Sequence, residues 1–401
     1  MVSKIKERLP QLDLFRAFAI FCVIQVHASS FAAAEQALTS PIHYFYNWMN
    51  IFFRVGTSSF IFLSSFVLFY NYYSKSYTME RIGRFYKKRL LYIILPYVLV
   101  SCCYFFVVSW YTKTLFNLPV TELLGKLGIQ LLTGSAYTHL YFVFISIQFY
   151  LLFPLLLWLI QKMGRSKVAV AWIIPIGLVL QWGFFVWNKY DLHLVNKGSF
   201  APSYFSFYLL GAAVAVYFDY IKDWLSKGWS DSTKRQKIAT ASLWGGWLLL
   251  SMVDVQLYYM LRQQIYIAST YTFELVWNIH LLLSALVLLH AAFAVYRHAS
   301  ARWLRWLTRL GELSFAIYLF HPAVLLVYRH LRYRLIGEGI GLAYFLYIIG
   351  GAILALALSW GFTQFCFKRL PYASVILGNT PASLKKTKPL APVEDQASAS
   401  Y

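Results

Sequence analysis

Read alone, the sequence describes an all-α, polytopic membrane protein: a bundle of about ten transmembrane helices with both termini cytosolic. Composition is the first reason. Of 401 residues, 60% are hydrophobic and only 13% charged, against about 45–50% and about 25% in a soluble domain, so polar surface is too scarce to face water on every side. The same figures exclude a disordered, a disulfide-framed or a collagen-like chain. Spacing is the second reason: apolar runs of about 20 residues, the length that crosses the hydrocarbon core, recur along the whole chain. Loop charge is the third. A net charge of +21 would point to nucleic acid in a soluble protein. In a membrane protein, cytosolic loops rich in Lys and Arg produce it, and no nucleic-acid partner is expected.

The spans run roughly over 12–33, 48–70, 90–110, 139–160, 168–187, 203–220, 238–258, 272–296, 313–330 and 341–366. A basic Met1 to Pro10 leads into the first, which is long and lacks a small-x-small cleavage site, so it reads as a retained helix and not a removed signal peptide. The second contains "SFIFLSSFVLFY" with Arg54 just ahead of it. The third follows the basic stretch "RIGRFYKKRLLYIILPY". Residues 120–134 are too short to cross and are expected to lie at the interface or to re-enter. The fourth opens with "HLYFVFISIQFYLLFP", where His139, Gln148 and Tyr150 are buried polar groups and Pro154 kinks the helix. The ninth reads "GELSFAIYLFHPAVLL" and sets Ser314, Tyr318 and His321 at i, i+4 and i+7, on one face.

An even number of spans puts both ends of the chain on one side. With the N-terminus inside, 26 of the 36 basic residues fall on cytosolic segments and eight outside, Arg329, Arg332 and Arg334 forming an outer cluster. Residues 1–372 are the expected membrane-embedded domain. Residues 373–401, small, polar and proline-rich, are an expected disordered cytosolic tail whose lysines reach anionic lipid. Cys22, Cys102, Cys103 and Cys366 sit in apolar runs and read as small hydrophobes. Neither a disulfide frame nor a metal site is expected, and no phosphate-binding Gly loop, His-Glu-x-x-His or serine elbow occurs.

An ionisable side chain in a span carries an insertion penalty of about 2.5–3.5 kcal/mol, so each one calls for a reason. In "LDLFRAFAIFCVIQVHASSF", Arg16 and His27 are eleven residues apart, which places them about 16 Å apart along the axis and about 20° apart around it. They share a stripe with Asp13, Ile20, Val23 and Ile24. One reading has Arg16 snorkelling and paired with Asp13, and His27 as a neutral bundle histidine. The other takes the two together as an anion site below a general base. Arg81, Arg84, Lys88 and Arg89 serve either topology or phosphate binding.

The Arg–ten residues–His pair of the first span, "FIFLSSF", the basic run into "LPY", "HLYF…QFYLLFP", "FYLLGAAVA" and "LSFAIYLFHP" together resemble the acyltransferase-3 family of integral membrane acyltransferases, over about residues 8–370. The resemblance implies a ten-helix domain of a bacterial plasma (inner) membrane. It takes an acyl group, acetyl or succinyl, from cytosolic acyl-CoA and delivers it to a hydroxyl of a surface glycan, alongside polysaccharide synthesis machinery. The family's Arg and His map onto Arg16 and His27, and its His-Pro onto His321 and Pro322. Two departures stand out. Ser146 and Ile147 replace the Glu that many members with a hydrolase-like partner domain carry before "QFYL". The loop Arg-x-x-Arg fits Arg81 and Arg84 by spacing, whereas alignment on Pro96 gives Arg89 with Tyr92. With no appended domain after the tenth span, the chain looks closer to stand-alone exopolysaccharide or cell-wall members.

The resulting expectation is a CoA-phosphate site at Arg81, Arg84, Lys88 and Arg89, with Arg16 near it. His27 is the general base, in preference to a histidine-acyl intermediate, and His321 and Tyr318 orient the acceptor or the oxyanion. The competing expectation is a transporter or flippase of a glycan intermediate, with the histidines as proton relays. A scaffold would leave the buried ionisable residues unexplained.

Overall fold

The computed structural model describes residues 7–40, 42–164, 167–337 and 341–384, and among them the chain is helical with no strand. The helices are, in order, α1 (Gln11–Glu35), α2 (His43–Phe52), α3 (Gly56–Tyr72), α4 (Met79–Arg89), α5 (Leu95–Tyr111), α6 (Thr114–Asn117), α7 (Val120–Thr133), α8 (Tyr141–Met163), α9 (Lys167–Trp187), α10 (Phe205–Val216), α11 (Phe218–Ser226), α12 (Lys234–Arg262), α13 (Thr270–His298), α14 (Ala301–His330), α15 (Arg332–Ile336), α16 (Leu342–Arg369) and α17 (Ala373–Leu377). With no water in hydrocarbon to satisfy backbone N–H and C=O groups, the helix is the form in which these apolar runs cross.

Nine helical stretches among the described residues are long and apolar enough to span, and the bent pair Ala201–Val216 and Phe218–Ser226 makes a tenth only when its two helices are counted as one broken span. This pair is the expected span 203–220, and it does not run straight. The chain turns by 85° at the break. The reason is compositional: α10 is wholly apolar or small, whereas α11 carries Asp219, Lys222 and Asp223, which are stable only where the chain leaves the hydrocarbon. The expected second span is likewise two helices, α2 and α3, separated by the turn Phe53–Val55 that holds Arg54. A π-helical turn, Leu90–Ile94, joins α4 to α5. The short segment 120–134 forms α7, most of whose side chains are exposed.

α1 and α14 are the axis of the bundle, with α3 and α10 packed as a second close pair beside them. Both contacts rest on glycine. A Cβ on Gly311 would lie 1.7 Å from the Asp13 carbonyl oxygen, and one on Gly211 would lie 2.3 Å from that of Phe62, so only hydrogen lets these backbones meet. Residues 373–384, assigned to a tail by their composition, are ordered against the bundle. Ala373 and Leu377 are buried with Ala316 and Cys366, and the Ser383 N–H donates to Glu312 Oε2 at 3.1 Å. The rest of that expected tail, residues 385–401, lies outside the described residues.

Candidate active site

The stripe read on the first span exists. Asp13, Ile20, Val23 and Ile24 are all buried, and Arg16, Val23 and His27 face two cavities in opposite halves of the bundle. The smaller, about 180 Å³, lies toward the Arg16 end and is lined by Arg16, Arg89, Ser64, Tyr150, Ser314 and Tyr318 among others. The larger, about 610 Å³, lies toward the His27 end, where Arg54, Thr57, Tyr258, Glu274 and Trp277 line it together with His27 and Tyr318. Tyr318 lines both cavities, so the wall between them is the Tyr318 side chain on α14 and its neighbours.

His27 is half-buried at that wall. Its ring centroid is 5.2 Å from that of His321, and His321 in turn is 5.9 Å from His139. His321 is fully buried, lines neither cavity, and has Nδ1 3.2 Å from the Ile317 carbonyl oxygen. That contact places the ring proton on Nδ1, leaving Nε2, which has no hydrogen-bond partner among the described residues, as an acceptor. Tyr318 Oη donates to the His139 carbonyl. A phenol has one proton to give, so Tyr318 ties α14 to the turn ahead of α8, and its ring lines both cavities. The His27 carbonyl accepts from Arg329 Nη2, which fixes α1 against α14 at the level of the imidazole.

At the other end, Arg16 Nη1 meets Asp13 Oδ1 at 2.5 Å, and the same carboxylate accepts from Arg8 at 2.9 Å. Arg8 reaches Glu312 at 2.8 Å. The two carboxylates push the Arg8 guanidinium above its ordinary value, with the Asp13 hydrogen bond the larger cause. The chain Glu312–Arg8–Asp13–Arg16 is therefore neutral overall. Arg89 differs. Its guanidinium lies over Tyr150 at 4.6 Å and over Phe85 at 5.2 Å, its buried Nε has no partner, and no carboxylate pairs with it among the described residues. Of the two cations lining the smaller cavity, Arg89 is the one without a counter-ion.

The other three basic candidates lie outside this cavity. Arg81 is turned to the Ser76 carbonyl, Arg84 pairs with Glu80 at 3.2 Å while largely exposed, and Lys88 is exposed on α4. The structure thus joins Arg16, Arg89 and Tyr318 at one cavity and His27 and Tyr318 at the other, with His321 behind.

Several residues escape a reading by sequence. His139 is recognisable only as a polar group at a span mouth, yet it completes the histidine cluster. Arg54 appears as an interfacial cation, yet it lines the larger cavity. Glu274, the only acidic residue of α13, lines the same cavity and pairs with Lys197 at 2.7 Å. A lone carboxylate in an apolar run was the available signal for it. Asp254 and His280, on α12 and α13, form a fully buried pair at 3.0 Å, which line neither cavity.

A family model described as an acyltransferase domain matches residues 9–364. No curated protein and no solved structure matches the chain.

Proposed function

The chain belongs to the acyltransferase-3 family and is a membrane acyltransferase; from that premise we propose that it moves an acyl group, acetyl or succinyl, from cytosolic acyl-CoA to a hydroxyl of a surface glycan. The observation that supports this reading best is the pair of cavities divided by Tyr318, one lined by arginines and the other by the half-buried His27. Loop charge puts the Arg16 end in the cytosol. In this reading Arg89, with no counter-ion among the described residues, holds CoA phosphate at the smaller cavity, and Arg16 lines the same cavity beside Asp13. The acyl-pantetheine arm extends toward Tyr318, and the acceptor occupies the larger cavity.

His27 then removes the proton of the acceptor hydroxyl as its oxygen attacks the thioester carbonyl. The tetrahedral intermediate collapses with cleavage of the C–S bond, and the imidazolium returns the proton to the departing thiolate. Ester and free CoA thiol are formed, and the histidine ends as it began. His321 and His139 support the His27 ring from behind, and the Arg329 contact holds its backbone. Arg81, Arg84 and Lys88 contribute long-range attraction for the anionic donor, which salt screens.

General-base help is worth about 10²–10⁴-fold, and His27→Ala is expected to lose transfer by that factor while the protein stays folded and inserted. The assay is purified protein with labelled acyl-CoA and candidate glycans. Near-normal transfer by His27→Ala removes the assignment of the base. Glycan movement across proteoliposomes with no acylation replaces the enzyme by a transporter.

A further inference from the structure

We infer that the acceptor is an acidic glycan and that Arg54 is the residue that recognises its carboxylate or phosphate, an inference that rests on the larger cavity being the acceptor site. Two cations line that cavity. Lys197 is neutralised within it by Glu274 at 2.7 Å. Arg54 has no carboxylate partner among the described residues; its guanidinium is stacked on the Tyr258 ring at 4.4 Å, and its buried Nε has no hydrogen-bond partner. Such stacking fixes the plane of the guanidinium and leaves its N–H edge for an in-plane, bidentate anion.

Arg54 also stands on rigid support. It occupies the turn between α2 and α3, with Gly56 and Thr57 of the next helix lining the same cavity. Arg54 is half-buried, with its Nε fully covered; taking a charge partly out of water without a partner is costly, and a ligand of opposite sign offsets that cost. The rest of the lining suits a sugar. Trp277 and Tyr258 offer aromatic faces, and the buried Trp277 indole N–H has no protein acceptor among the described residues, so it is a donor ready for a ring hydroxyl. With Glu274 already paired to Lys197, Arg54 is the group that distinguishes an anionic acceptor from a neutral one.

The test has a binding arm and a transfer arm, both on the full chain in detergent. The probes are a uronic-acid oligosaccharide with its carboxyl-reduced counterpart, and a glycerol-phosphate oligomer with its neutral polyol. In binding without acyl-CoA, at least one charged probe is expected to bind about ten-fold or more tightly than its neutral partner, as a charge-assisted hydrogen bond would provide. Arg54→Gln is expected to bring that ratio close to one and Arg54→Lys to restore part of it. Equal binding of charged and neutral probes, no binding of any charged probe, or a preference that survives Arg54→Gln overturns the inference. The transfer arm repeats the comparison with labelled acetyl-CoA. Absence of acylation of every probe that binds counts against the acyltransfer reading, and the binding ratios still decide the role of Arg54.

Discussion

Arg16 and Arg89 line one cavity and carry the same formal charge, yet their surroundings differ. Arg16 is held by Asp13 at the end of a neutral chain of ion pairs, whereas Arg89 lies over aromatic faces and has no carboxylate partner among the described residues. An anion entering this cavity gains most from Arg89. Replacing it with Gln is expected to raise the KM for acyl-CoA, with kcat affected less, because the contact is to a part of the donor that does not react. A measured loss confined to kcat would contradict that placement. Tyr318 offers a second residue-level check. Its hydroxyl donates to the His139 carbonyl, so Tyr318→Phe is expected to lower stability by about 0.5–1.5 kcal/mol. Transfer should fall less steeply than in His27→Ala, as steady-state kinetics with thermal unfolding will show. The Arg16–His27 stripe was legible from the helical period, since eleven residues bring two side chains to one face. That Arg89 is the unpaired cation was not legible, because Asp13 and Glu312 reach Arg8 and Arg16 from two different helices.

Among the helices, what matters is how closely two backbones can approach. α14 meets α1 at Gly311, and α10 meets α3 at Gly211. Gly211→Ala puts a methyl group against the Phe62 carbonyl, and an overpacking loss of about 1–3 kcal/mol is expected. Gly83, on the exposed α4, has nothing within 4 Å of a built Cβ. Gly83→Ala is therefore expected to be neutral or to stabilise by up to about 1 kcal/mol through helix propensity. Thermal unfolding of both variants in one detergent measures the contrast, and equal behaviour would show that the α3–α10 contact is looser than it stands. The bent α10–α11 unit belongs to this scale too. Its apolar half has the composition of a span, but the charges of α11 divert the chain before it becomes a straight one.

For the whole molecule, the +21 charge divides into a part expected to set orientation and a few cations that line the cavities. Orientation is open to a direct experiment. In a background without the four native cysteines, Arg84→Cys is expected to react with a membrane-impermeant maleimide only after permeabilisation. Lys197→Cys, at the opposite mouth, is expected to react in intact cells. The reverse pattern would invert the direction of transfer. The cluster Arg329, Arg332 and Arg334, expected on the outer side from the count of spans, runs against the loop-charge rule, and the fold accounts for two of the three. Arg329 binds the His27 carbonyl and lies over Phe31 at 3.8 Å, while Arg332 pairs with Glu35.

By itself, the sequence determined that the chain crosses a membrane repeatedly as helices. Hydrophobic length and period are local properties, and the bilayer leaves the backbone no other economical form. The ordered motifs along those helices determined the family in the same way. The tertiary structure decided which polar groups meet. His139 joins His27 and His321 from the turn ahead of α8, Tyr318 stands between two cavities, and Lys197 neutralises Glu274 while Arg54 has no carboxylate partner among the described residues. Each of these pairings joins residues far apart in the chain, and their partners are set by helix crossings at Gly311 and Gly211 that leave no periodic mark in the sequence.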